Sequence, residues 1–69
     1  MYQVLSPDGF QIMVQGEITF SSLKKAKQAL SQWVKSFITQ GYYSQVCYNG
    51  YRRQISLNHL PDYCDIIKL

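Results

Sequence analysis

Tyr42-Tyr43-Ser44-Gln45-Val46-Cys47-Tyr48-Asn49-Gly50-Tyr51-Arg52-Arg53-Gln54-Ile55 is the stretch whose reading decides the fold. Two β-prone runs flank Asn49-Gly50. An Asn-Gly pair in that setting marks a two-residue type I′ turn, because both central residues need positive φ. Tyr48 then faces Tyr51, and the pairs run Cys47–Arg52, Val46–Arg53, Gln45–Gln54, Ser44–Ile55 and Tyr43–Ser56. Alternation puts Tyr42, Ser44, Val46, Tyr48, Tyr51, Arg53, Ile55 and Leu57 on one face, which Val46, Ile55 and Leu57 assign to the core. Tyr43, Gln45, Cys47, Arg52, Gln54 and Ser56 share the other face, open to solvent, a ligand or a sister subunit. A slip of one residue inverts these assignments.

Upstream, Tyr2 to Val14 reads as a first hairpin around Ser6-Pro7-Asp8-Gly9, where Pro presets φ and Gly supplies the positive φ that ends the turn. Ser6 sits opposite Phe10, Val4 opposite Ile12 and Tyr2 opposite Val14. Tyr2, Val4, Phe10, Ile12 and Val14 form the core face, and Leu5 with Met13 leaves an apolar spot on the other. Gly16 breaks the strand. Ser21 or Ser22 caps a helix whose apolar positions, Leu23, Ala26, Leu30, Trp33, Val34, Phe37 and Ile38, follow helical spacing up to Gly41. Lys24, Lys27 and Lys35 fall on the opposite side, as a solvated back or an anion-binding stripe. Downstream, Asn58 to Asp62 is a short helical turn or loop, and Tyr63 to Leu69 is a strand with Cys64 and Ile66 on one side. The expected architecture is α+β: a small antiparallel β-sheet in β-β-α-β-β-β order with one amphipathic helix packed on one face, a single domain over residues 1–69.

Sixty-nine residues give one small core that is marginal unless stapled, oligomeric or very well packed. Two cysteines and one histidine are too few for a structural zinc site. No signal peptide precedes the first strand, so Cys47 and Cys64 are read as reduced in a cytoplasmic chain, and homo-oligomerisation is the expected source of extra stability. No apolar run is long enough to span a bilayer. A net charge of +3 and a pI near 9.0 favour anionic partners. Charged residues make up only 16% of the chain, too few for a protein that wraps a duplex.

Catalysis fails on inventory. Asp8, Glu17, Asp62 and Asp65 form no evident pair, and His59 and Cys64, five apart around Pro61, offer only a weak nucleophile pair. The glycines are isolated turn or cap residues, so no phosphate loop exists, and no cofactor is implied. Binding fares better. A tyrosine ring stacks a base, worth about 1–3 kcal/mol, and an arginine fork takes phosphate. The alternative is that tyrosines are simply good strand residues.

Met1-Tyr2-Gln3-Val4-Leu5-Ser6-Pro7-Asp8-Gly9-Phe10, Gln40-Gly41-Tyr42-Tyr43-Ser44 and Leu60-Pro61-Asp62-Tyr63-Cys64 resemble a family of small uncharacterised proteins of Bacteroidetes and their phages, over nearly the whole chain. The family carries no catalytic motif and no assigned site, so no residue role is transferred. The resemblance implies a compact, cytosolic accessory protein that acts by stoichiometric binding.

The expectation is therefore a non-enzymatic, homo-oligomeric protein that captures a nucleotide-like anionic ligand, such as a phage-encoded sponge for an immune signalling nucleotide. Tyr43, Tyr48 or Tyr51 would stack on the base, and Arg52, Arg53, Lys24, Lys27 and Lys35 would hold phosphate. The alternatives are an inhibitor of a host protein, using the Leu5–Met13 face or the tyrosine-rich ribbon, and a single-stranded nucleic-acid binder.

Overall fold

The computed structural model describes residues 1–47 and 49–69; Tyr48, and with it the expected Tyr48–Tyr51 pair, lies outside the described residues. Strand β1 (Tyr2–Leu5) pairs antiparallel with the last strand, β4 (Asp65–Lys68), with Val4 opposite Ile66 and Leu5 opposite Asp65. Its other edge carries the first turn. The Ser6 N–H donates to the Phe10 carbonyl at 2.8 Å and the Ile12 N–H to the Val4 carbonyl at 2.8 Å, so the first hairpin has the expected register.

That hairpin is shorter than expected. Val14 does not face Tyr2. It exchanges two hydrogen bonds of 3.0 Å with Glu17 across a second turn, where Gln15 and Gly16 both have positive φ, +53° and +79°. Two consecutive left-handed residues define a type I′ turn. The chain then returns to place Phe20 beside Tyr2 through a reciprocal pair of 2.8 Å bonds.

Helix α1 (Leu23–Lys35) is capped by Ser22, whose Oγ accepts the Lys25 N–H at 3.1 Å. Ala26 and Ala29 are its buried residues, and their small side chains let α1 lie close on Val4, Ile12 and Phe20, which complete the main core cluster. Tyr2, Val14, Leu30, Trp33, Cys64 and Ile66 pack around this cluster. The α-helix stops three residues before Ile38. The Ser36 hydroxyl donates to the Trp33 carbonyl at 2.6 Å, and the N–H groups of Phe37 and Ile38 turn to carbonyls three residues back. Ile38 is consequently exposed, and Leu23 at the other end is also outside the core. Gly41, with φ +86°, ends the segment as expected, its N–H bonded to the Phe37 carbonyl.

Strands β2 (Tyr42–Val46) and β3 (Arg52–Ser56) form the second antiparallel ribbon, one residue out of the expected register. Tyr43 faces Ile55, Gln45 faces Arg53 and Val46 faces Arg52. The hairpin closes with the Cys47 N–H on the Tyr51 carbonyl and the Gly50 N–H on the Cys47 carbonyl, and Gly50 has φ +82°. Asn49 Oδ1 accepts the Tyr51 N–H at 3.0 Å. Three residues, 48–50, therefore stand between the closing pair rather than two. The slip inverts β2 and leaves β3 as expected. Tyr43, Gln45 and Cys47, not Tyr42, Ser44 and Val46, share the inner face with Ile55, Arg53 and Tyr51, and Val46 is exposed.

A 3₁₀ turn (Leu60–Tyr63), with Leu60 fully buried, leads into β4. Among the described residues the architecture is α+β, with one α-helix and two two-stranded antiparallel ribbons, and the strand order fits the expected one.

Candidate functional site

The inner face of the β2–β3 ribbon divides into a sealed end and an open end. At the sealed end, Tyr43 packs against Trp33 and Phe37, each ring centroid 5.2 Å away, and those two rings are 4.9 Å apart. Its hydroxyl donates to Asp8 Oδ2, and Gln45 Nε2 donates to the Pro7 carbonyl at 3.0 Å. The ribbon thus clasps the first turn. Asp8 Oδ1 is buried with no protein partner among the described residues. Burial, then the hydrogen bond to Asp8 and its charge, push the Tyr43 hydroxyl from its ordinary 10.0 up to about 12. Tyr43 is half-buried, with its ring packed on Trp33 and Phe37 and its hydroxyl bound to Asp8, so it serves here as a packing residue. Phe10, expected in the core, is instead 70% exposed, at the end of the first turn where its N–H donates to the Oγ of buried Ser6 at 3.1 Å.

The open end gathers four side chains: Arg53, Gln45, Tyr63 and Tyr51. Arg53 Nη2 donates to Gln45 Oε1 at 2.5 Å, and its guanidinium carbon lies 4.7 Å from the Tyr63 ring centroid. Tyr51, just before β3 and two residues ahead of Arg53 on the same face, is 67% exposed. The arginine therefore sits over the face of one aromatic ring, tied to Gln45, with a second, exposed tyrosine two residues earlier. Only one of its five N–H donors goes to Gln45. Arg52 projects from the opposite face, across from Val46, so the adjacent arginines do not act together. Tyr63 and Gln45 complete this arrangement. No local pattern in the sequence links Tyr63 to Arg53, because the 3₁₀ turn joins them through space.

Lys24, Lys27 and Lys35 are all exposed on α1, away from the ribbon's inner face. They line two adjoining concavities along the helix. One, of about 560 Å³, is bordered by Leu23, Lys24, Lys27 and Ser31; the other, of about 260 Å³, by Lys27, Leu30, Val34, Lys35 and Pro61.

The Cys64 thiol gives no sign of nucleophilic activation. It points at the Leu60 carbonyl, 3.5 Å away, and burial with the Asp65 charge pushes it from 9.0 up to about 11. A protonated thiol is the reverse of what a nucleophile needs. His59 is exposed at the start of the 3₁₀ turn. Among the described residues no three His, Cys, Asp or Glu side chains converge as a metal site, and no helix is long and apolar enough to cross a membrane.

Comparison with family models, curated proteins and solved structures returns no match.

Proposed function

We propose that this chain is a non-enzymatic binding protein that works as a homo-oligomer and takes a nucleotide-like anionic ligand at Tyr51, Arg53 and Tyr63. The observation that carries this reading is the guanidinium of Arg53 held over the Tyr63 ring and hydrogen-bonded to Gln45, with Tyr51 exposed two residues earlier. Fixing the guanidinium in advance lowers the ordering cost of a phosphate contact, and the free tyrosine supplies a base-sized face. The site is an open ribbon surface, so a second subunit supplies the wall that encloses a small ligand. Two features support the further reading as a phage-encoded sponge for an immune signalling nucleotide. They are the resemblance of the three quoted segments and a ligand chemistry that needs no turnover.

Isothermal titration against a panel of linear and cyclic nucleotides tests the proposal. Tyr51→Ala is expected to weaken binding roughly 5- to 150-fold, the loss of one stacked base. Arg53→Ala should weaken it comparably, and Arg52→Ala should leave it near wild type. No heat with any nucleotide, or an Arg52→Ala loss equal to that of Arg53→Ala, overturns it. Affinity that rises with oligonucleotide length and falls steeply with salt points instead to single-stranded nucleic acid.

A second reading, protein–protein binding, is favoured by a separate observation. The face of the β1–β4 ribbon turned away from α1 carries Leu5 and Ile67 with Gln3 and Asp65, and Leu69 beyond β4 and Met13 on the adjoining hairpin extend it; Met13, Ile67 and Leu69 are exposed. Large exposed apolar side chains on one sheet face mark a surface that another protein covers.

A further inference from the structure

We infer that the exposed flank of α1 is a docking groove for an acidic amphipathic helix of a partner protein. This goes beyond the proposed ligand site, which Tyr51 and Arg53 form with Tyr63 of the 3₁₀ turn and which uses none of the same residues.

The lysines recur at 24, 27 and 35, with Ser31 between them, on one side of the helix, about 16 Å from end to end at the helical rise. That length matches roughly three turns of a partner helix. Immediately beside them, Leu23, Leu30 and Val34 form a second row at positions i, i+7 and i+11. The row runs along the rim of the core: Leu30 packs against the core cluster yet stays half-buried, Val34 is half-buried, and Leu23 is exposed. Lys27 and Ser31 border both concavities, so the two adjoin along the helix, with Pro61 lining the one nearer the helix C-terminus. None of the chain's acidic residues lines either concavity. The nearest in sequence, Asp62, is exposed beside Pro61.

The chemistry of this groove selects among anionic partners. Its floor is mainly aliphatic, which phosphate or a nucleic-acid backbone cannot use, and it offers neither an arginine fork nor an aromatic ring for a base. Membrane binding needs a broad apolar face on the helix. Here the broad face is spent on the sheet through Ala26, Ala29 and Trp33, leaving one narrow aliphatic row. A narrow aliphatic row flanked by lysines complements a helix with apolar residues at i, i+3 or i+4, and i+7, flanked by Asp and Glu.

The test is fluorescence anisotropy on the full chain. The probe is a labelled helical peptide with Leu at i, i+3, i+4 and i+7 and Glu flanking that stripe. The control is a scrambled peptide of the same composition. The amphipathic peptide is expected to bind at least about tenfold more tightly than the scrambled one. Lys24→Glu/Lys27→Glu/Lys35→Glu should abolish binding, and Leu23→Ser should weaken it severalfold, with circular dichroism confirming the fold. All four positions are exposed or half-exposed, so these variants are expected to fold. Equal binding of the two peptides shows attraction by charge alone and overturns the groove. Absence of peptide binding, or preferential binding of phosphatidylglycerol vesicles or single-stranded DNA at the same lysines, overturns it equally.

Discussion

Gln15 adopts φ +53°, a left-handed conformation that costs an ordinary side chain about 1–2 kcal/mol. Asn tolerates that region better, and Gly adopts it freely. Gln15→Asn is therefore expected to raise unfolding stability by up to about 1 kcal/mol, a rise in Tm of about 4–8 °C in so small a domain. Urea and thermal denaturation check this, and an unchanged or lowered midpoint sinks it. Tyr43 makes a second prediction at this scale. Its folded pKa, about 12, exceeds the unfolded 10.0, so its protonated form contributes stability that is fully present below pH 10. That contribution is lost as pH rises through about 12. Cys64, raised from 9.0 to about 11, acts in the same direction over a lower window. Tyr43→Phe leaves Asp8 without its donor and should cost about 1–3 kcal/mol near neutral pH. It should also flatten the loss of stability above pH 10, leaving the Cys64 component. Denaturant midpoints measured from pH 8 to 12 (a span set by these two groups) test both parts, and a variant profile parallel to wild type through pH 12 rejects the assignment.

The two ribbon turns show what was legible at the scale of elements. Ser6-Pro7-Asp8-Gly9-Phe10 and Cys47-Tyr48-Asn49-Gly50-Tyr51 share one pattern, an Asp or Asn followed by Gly just before the closing aromatic residue. Both close the same way: the glycine N–H returns to residue 6 or 47, and that residue's N–H bonds the carbonyl of residue 10 or 51. The first register follows from this reading. The second does not follow from Asn-Gly alone, because that pair serves two-residue and three-residue loops alike. Consistency between the two turns is the signal that favours the longer loop. The helix with a serine cap, a short turn after Asn58 and the inward side of β4 were also readable, since each depends on local spacing; Tyr63, expected in the last strand, belongs to the 3₁₀ turn instead. The helix end was not, because the Ser36 hydroxyl competes for a carbonyl that periodicity ignores. The prediction here concerns Gly50. A Cβ there meets nothing within 4 Å, so any cost is purely conformational. Gly50→Ala should destabilise by about 1 kcal/mol and Gly50→Asn by clearly less. If urea titration shows both variants equal to wild type, the left-handed turn does not form in solution.

At the scale of the whole molecule, the candidate residues separate because topology, not sequence distance, sorts them. Arg52 and Arg53 are neighbours in sequence and back to back on the ribbon, while Arg53 and Tyr63 are ten positions apart and in contact. Tyrosine's two uses, packing at Tyr43 and exposure at Tyr51, differ only by which end of the ribbon meets α1. The same topology leaves the β1–β4 ribbon covered by the helix on one face alone. A domain this small gains little net stability from a single core, and an uncovered sheet face carrying Met13 and Ile67 is the natural place to gain more. A second copy packed on that face would extend the core without disturbing α1. Sedimentation velocity over about a hundredfold range of concentration is expected to show mass-action association. Met13→Asp should shift the population to monomer while leaving circular dichroism unchanged, since Met13 is 63% exposed. Wild-type protein that stays monomeric throughout removes the subunit wall from the proposed ligand site. Association that persists in Met13→Asp moves the interface elsewhere, and the exposed ribbon carrying Val46 and Arg52 becomes the next surface to mutate.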